Sequence, residues 1–139
     1  MKVGSFLDTN LLIYAAMKTG LEPTKSPIAL RLLAEGDFGL SAQVLQEFYV
    51  TSTQKAHVGL KADEALAWID RLTEYPCVPL DQDLVRIAIA LSERHKINYW
   101  DAAILAAAER LGAETLYTED LSHGQAYGSV TAINPFLGA

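Results

Sequence analysis

Val3-Gly4-Ser5-Phe6-Leu7-Asp8-Thr9-Asn10-Leu11-Leu12-Ile13-Tyr14 is the stretch on which the fold turns. It opens with a short run suited to a buried strand, passes through the polar triplet Asp8-Thr9-Asn10, and enters a second apolar run from Leu11 to Ala16. That order predicts a strand, a turn rich in helix-capping side chains, and a helix. Asp8 then stands at the carboxyl end of a strand.

The same alternation recurs outward from this segment. Thr19 to Pro27, with Gly20, Pro23 and Pro27, reads as a loop, and Pro27 suits the first turn of a helix running to about Glu35 before Gly36 ends it. Phe38 to Leu40 is the second expected strand. Ser41 can cap a helix that turns Val44, Leu45, Phe48 and Tyr49 inward and carries Glu47 beside that stripe. A further helix is expected from about Ala62 to Thr73, with Ala65, Leu66, Ile69 and Leu72 at helical spacing, followed by a strand over Cys77 to Leu80. Asp81 begins another helix, whose inner face is Leu84, Ile87, Ala88 and Leu91 while Arg86, Glu93 and Arg94 face solvent. In the next helix Trp100, Ala103, Ile104, Ala107, Ala108 and Leu111 recur at threes and fours, and Gly112 stops it. Thr115 to Tyr117 and Val130 to Ile133 complete the strands. Strands alternating with helices imply helical crossovers, hence an α/β fold with a central parallel sheet of about four or five strands, covered on both faces. With no repeat or shift in composition, residues 1–139 are expected to form a single domain.

Half of the residues are hydrophobic and 20% are charged, a globular balance. The formal net charge of -6 comes without any Lys/Arg block, so neither a basic nucleic-acid arm nor a polybasic membrane tether is present, and nucleic-acid contact would need local patches. The opening apolar stretch is too short for a secretory signal, and no run approaches the roughly 18 residues of a membrane span. A soluble, cytoplasmic protein without membrane association is expected. Cys77, the single cysteine, excludes an internal disulfide and a multi-cysteine zinc site, and a packing role is expected for it. His57, His95 and His123 lack zinc-binding spacing, though His123 lies three residues after Asp120; no P-loop is present.

Four acids fall where ligands bind in open parallel sheets, outside the carboxyl ends of the strands. Asp8 follows the first strand, Glu47 lies in the helix after the second, Asp101 opens a helix, and Asp120 follows Leu116-Tyr117-Thr118. Two carboxylates about 4 Å apart repel by roughly 4 kcal/mol at an effective dielectric near 20, so a cluster of them requires protons or cations. Mg²⁺ takes hard oxygen ligands, commonly one or two carboxylates together with waters and substrate phosphates, and Mn²⁺ fits the same set. Such an ion supports phosphodiester hydrolysis and locally reverses the sign of an acidic site. Each acid also has a plainer reading: Asp8 and Asn10 as helix caps, Asp101 in a capping arrangement with Asn98, Glu47 as a solvated helix residue, and Glu119 and Asp120 as turn residues.

Phe6-Leu7-Asp8-Thr9-Asn10-Leu11-Leu12-Ile13-Tyr14, Gln46-Glu47-Phe48, Tyr99-Trp100-Asp101-Ala102-Ala103-Ile104-Leu105-Ala106 and Leu116-Tyr117-Thr118-Glu119-Asp120, taken in this order, resemble the prokaryotic PIN-domain nucleases, in particular the VapC-type toxins. The resemblance spans nearly the whole chain. It implies a three-layer fold and a Mg²⁺- or Mn²⁺-dependent endoribonuclease acting on RNA. By position, Asp8 and Asp101 match the principal metal-holding acids, Glu47 and Asp120 the remaining acids of the catalytic cluster, and Thr9, Asn10 and Thr118 the supporting polar positions, while Glu119 is left outside the set. An antitoxin partner and a homodimer are implied as well, with a housekeeping nuclease as the other possibility within the family.

Asp8 after a hydrophobic strand also suits an aspartyl-phosphate phosphatase of the haloacid dehalogenase type, but Asn10 stands where that family places its acid/base Asp. A non-catalytic RNA-binding module is the third reading. Trp68 and Trp100 are expected in the core or an interface, with a base contact by Tyr99 or Trp100 as the alternative. Lys55, Lys61, Arg94, Lys96 and Arg110 are expected on plain surface, with phosphate contacts along a groove as the alternative.

Overall fold

A computed structural model describes residues 2–17 and 21–138; Thr19 and Gly20, expected in the loop before the second helix, lie outside the described residues. The chain runs β1 (Ser5–Leu7), α1 (Thr9–Ala16), α2 (Lys25–Glu35), β2 (Phe38–Ser41), α3 (Ala42–Gln54), α4 (Ala62–Leu72), β3 (Cys77–Val78), α5 (Gln82–His95), α6 (Tyr99–Arg110), β4 (Thr115–Tyr117), β5 (Ala126–Tyr127) and β6 (Val130–Ile133). The strands form one sheet in the order β3-β2-β1-β4-β6-β5. All neighbours are parallel except β5 and β6, so the sheet has six strands with an antiparallel edge rather than four or five parallel ones. The missed strand, β5, is two residues long, too short to leave a period in the sequence.

Local signals explain most boundaries. The side chains of Asp8, Ser41, Asp81 and Asn98 each accept a backbone N–H at the start of their helices. Gly36 and Gly112 follow their helices at φ +76° and +69°, a left-handed conformation that glycine adopts without a Cβ clash. Pro27 is the third residue of α2, which begins at Lys25, slightly earlier than its proline suggests.

Phe6 and Leu7 are adjacent and both buried. Successive strand side chains point to opposite faces, so the sheet is covered on both. Parallel crossovers are almost always right-handed, which puts α1 to α4 on one face, where β1 leads to β2 and then β3, and α5 with α6 on the other, where the chain crosses back to β4. The packing agrees: α1 meets α2 and α3, α3 meets α4, and α5 lies along α6. Ala102 to Ala108 are all buried, so α6 is enclosed rather than simply amphipathic, and its alanines allow close approach to α5 and to β2, β4 and β6.

Several residues expected inside are outside. Tyr49, Leu66 and Ile87 are exposed, because each lies at the margin of its helix's apolar stripe and the neighbouring element covers only the stripe's centre. Cys77, expected to pack, is also exposed: β3 is an edge strand whose Val78 turns inward and whose Cys77 turns out. Among the described residues, no helix is long and apolar enough to cross a membrane.

Candidate active site

β1 is flanked by β2 and β4, and the chain leaves it in one direction and returns on the other side, which opens a crevice at the carboxyl ends of β1 and β4. The backbone ladder continues one residue past β1, where the N–H of Asp8 donates to the Tyr117 carbonyl at 3.1 Å. Asp8 and Thr118 are thereby set side by side. A cleft of about 410 Å³ opens here, and Asp8, Glu47, Asp101 and Asp120 all line it, together with Thr9, Asn10, Gln43, His57 and Trp100. Four acids from four distant segments share one wall of solvent.

Two chains of hydrogen bonds hold them. In the first, Thr118 donates its hydroxyl to Asp8 Oδ2 at 2.7 Å and accepts the Asp120 backbone N–H at 3.0 Å, while Asn10 Nδ2 donates to Asp120 Oδ2 at 3.3 Å. In the second, the Thr9 N–H donates to Asp8 Oδ1 and the Thr9 hydroxyl to Glu47 Oε1, both at 2.7 Å. Gln43 Nε2 then donates to Glu47 Oε2 at 3.3 Å and to the Trp100 carbonyl at 3.2 Å. Asp101 is held separately: its N–H donates to Asn98 Oδ1 at 2.9 Å, and Asn98 Nδ2 donates to Asp101 Oδ2 at 2.7 Å. Capping and clustering are therefore not alternatives here, since Asp8 and Asp101 stand at helix starts and in the cleft at once.

Burial is the largest influence on Asp8, which is only 5% exposed. It pushes the carboxyl up to about 7, helped by the charges of Asp120 and Glu47 and opposed by the hydrogen bonds from Thr118 and Thr9. Asp101 is raised for the same reasons, burial first and then Asp120 and Glu47, against the pull of Asn98. Among the described residues, no lysine or arginine lines the cleft to relieve this repulsion.

The donor set suits a hard divalent cation. Its oxygens are carboxylate, amide and hydroxyl, and Asn10 Oδ1 is buried with no hydrogen-bond partner. Among the described residues, no three His, Cys, Asp or Glu side chains converge into a complete cage. An ion here would therefore need waters or substrate oxygens to complete its shell, as Mg²⁺ commonly does.

Neighbouring residues prove to have other business. Glu119 faces away from the cluster, accepting the Tyr14 hydroxyl and Lys25 Nζ, each at 2.6 Å. The Lys25 ammonium is held well above its usual range by this carboxylate, and the Tyr14 phenol is raised by burial and then by Glu119. His123 Nδ1 accepts the Asn134 N–H at 3.0 Å and does not line the cleft. Arg110 pairs with Asp81 at 2.9 Å, at the far end of α6 from Asp101, and Lys55, Lys61, Arg94 and Lys96 are likewise absent from the cleft wall. Trp68 is half-buried against Phe48 and Arg71. For Trp100 the core reading is corrected: it lies open on the cleft because it sits in the first turn of α6, ahead of the enclosed stretch Ala102–Ala108. Gln43 and His57 line the cleft without having been singled out for it; for Gln43 the only sequence signal is its place four residues before Glu47, one helical turn away.

The sequence matches the family model of the PIN domain over residues 5–128. Among solved structures, the chain is similar to the sarcin-ricin-loop-cleaving toxin VapC20 of Mycobacterium tuberculosis, with a TM-score of 0.67 and 22% identity over 84% of this chain and 90% of that one. It is similar also to a chain of a toxin-antitoxin complex from Klebsiella pneumoniae, with a TM-score of 0.70 and 19% identity over 96% and 98% of the two chains. A third is VapBC2 of Rickettsia felis bound to a DNA fragment from its promoter, with a TM-score of 0.59 and 22% identity over 92% and 96%. At such identities the likeness is one of fold. A comparison with curated protein sequences returned no match.

Proposed function

This chain belongs to the PIN domain family, and from that premise we propose that it is a divalent-metal-dependent endoribonuclease serving as the toxin of a toxin-antitoxin pair. The observation that carries the nuclease reading is the convergence of Asp8, Glu47, Asp101 and Asp120 on one cleft with no lysine or arginine among its described lining residues. Asp8 and Asp101 would be the principal holders of Mg²⁺ or Mn²⁺, with Glu47 and Asp120 completing the acidic set. When bound, the ion would supply Lewis acidity toward a phosphodiester and a water of lowered pKa. Thr118 and the Thr9 N–H keep the Asp8 carboxylate aimed, Asn98 does the same for Asp101, and Thr9 and Gln43 orient Glu47.

The toxin assignment is supported by the solved neighbours, described as toxins or as members of toxin-antitoxin complexes and matched over most of their length. An antitoxin that covers the cleft and a homodimeric toxin belong to the same proposal.

Purified protein with Mg²⁺ or Mn²⁺ is expected to cut RNA internally and to stop on chelation, and Asp101→Asn is expected to abolish cutting while retaining the folded circular dichroism spectrum. RNA binding without turnover by the wild type would instead identify a non-catalytic module. Induced expression in cells is expected to arrest growth and create discrete RNA ends, absent with Asp8→Asn; cleavage without arrest would indicate a housekeeping nuclease.

A further inference from the structure

Trp100 is the most exposed large apolar side chain among the described residues, at 65%. It lines the same cleft as the four acids and precedes Asp101 in the first turn of α6. Its position is well held. Gln43, which also bonds Glu47, donates to its backbone carbonyl at 3.2 Å. Tyr99, which packs against the core, meets its ring at a centroid distance of 5.0 Å and an interplanar angle of 82°. A perpendicular neighbour leaves most of an indole's surface free, so the ring presents an open, anchored aromatic platform beside an acidic pocket.

Among the described residues no lysine or arginine lines the cleft, so the described wall offers no side-chain cation with which to grip RNA phosphates. A nucleobase offers a grip that does not depend on charge, because every base has a face that stacks on an aromatic ring. We propose that Trp100 stacks against an unpaired nucleobase next to the scissile phosphate, supplying the substrate affinity and positioning that the acidic walls cannot. This rests on the nuclease reading above. It makes Trp100 a base-binding residue, with the acids left to the chemistry.

The test uses the full chain, with Trp68→Phe as background so that Trp100 is the sole tryptophan, excited at a wavelength where the tyrosines do not absorb. A random-sequence single-stranded 12-nucleotide RNA is titrated in Ca²⁺, and saturable quenching of the indole is expected, with little quenching by the same RNA in duplex form. In Mn²⁺, Trp100→Ala is expected to raise KM about tenfold or more with a much smaller change in kcat, while Trp100→Phe stays within a few-fold of wild type. Thermal melting of each variant separates this from misfolding, and the phenylalanine variant keeps the test decisive if alanine unfolds. Cleavage with no quenching, or with a KM unmoved by Trp100→Ala, overturns the stacking role and leaves the ring as a protein contact. Quenching without any cleavage by the wild type supports the stacking role and overturns the nuclease reading; absence of both overturns both.

Discussion

Thr118 donates its hydroxyl to Asp8 Oδ2 at 2.7 Å, joining residues 110 positions apart across the seam between β1 and β4. Both side chains are buried, so the carboxylate has little water to fall back on. The same hydroxyl oxygen accepts the Asp120 N–H, which ties the loop after β4 to the acid that ends β1. One small side chain thus coordinates two of the four acids.

Thr118→Val keeps the shape and removes the donor. An oxygen of Asp8 is then left buried without a partner, a loss of about 1–3 kcal/mol in unfolding free energy, measured by urea denaturation of the chelated protein at pH 8. Thr118→Ser restores most of it. Equal stability of the valine and serine variants would show that the hydroxyl bears no weight.

The pH dependence follows from Asp8. Its carboxyl titrates near 3.8 in the unfolded chain and about 7 in the fold, so between these values the unfolded state sheds its proton first and is favoured. The metal-free protein therefore loses stability as pH rises from about 4 to 7 and levels off above; at about 1.4 kcal/mol per pH unit, this one group's effect approaches roughly 4 kcal/mol. Below pH 4 the penalty is absent. Urea midpoints in chelator at pH 5 and 7.5 check this: wild type declines over the interval relative to Asp8→Asn, and Mg²⁺ or Mn²⁺ restores wild type alone.

Glu119 and Asp120 are neighbours with opposite fates. Glu119→Ala breaks the contacts with Tyr14 and Lys25 and is expected to cost about 1 kcal/mol, small because the ion pair is partly exposed and screened. Its cleavage rate should remain within a few-fold of wild type. Asp120→Asn should show the reverse, a near-normal melting temperature with cleavage largely lost, and a rate assay beside a thermal melt distinguishes them.

Thr9→Val removes the hydroxyl that orients Glu47 while leaving the Thr9 N–H on Asp8. Losses on supporting polar residues of metal sites are typically about 10- to 100-fold in affinity or activity, so the Mn²⁺ concentration for half-maximal cleavage should rise by that order. Unchanged Mn²⁺ dependence would remove Thr9 from the supporting set.

Much of the fold could be read along the chain. Asp8, Ser41, Asp81 and Asn98 mark helix starts because a short polar side chain satisfying a free N–H is a local event, and Gly36 and Gly112 mark ends for an equally local reason. The acids and their order were legible too, as were Thr9, Asn10 and Thr118 as their companions. That Trp100 and Ile87 stand outside was not legible, because periodicity tells which residues share a helix face but not how far along or across that face the neighbouring elements extend. The role of Glu119 was hidden because Lys25 lies 94 positions away, and nothing in either segment announces the other.

By itself, the sequence determined the alternation of strands and helices, the capped starts, and the presence of an acid after each of several elements, since these depend on residues within a few positions of one another. Only the tertiary structure decided that those acids share a cleft, that Asp8 is buried enough to hold its proton to about 7, that Glu119 turns away, and that Trp100 stands in the open. Those outcomes depend on strand order and on the packing of helices against the sheet, where contacts join segments a hundred residues apart and are set by the competition of every apolar face for the same core.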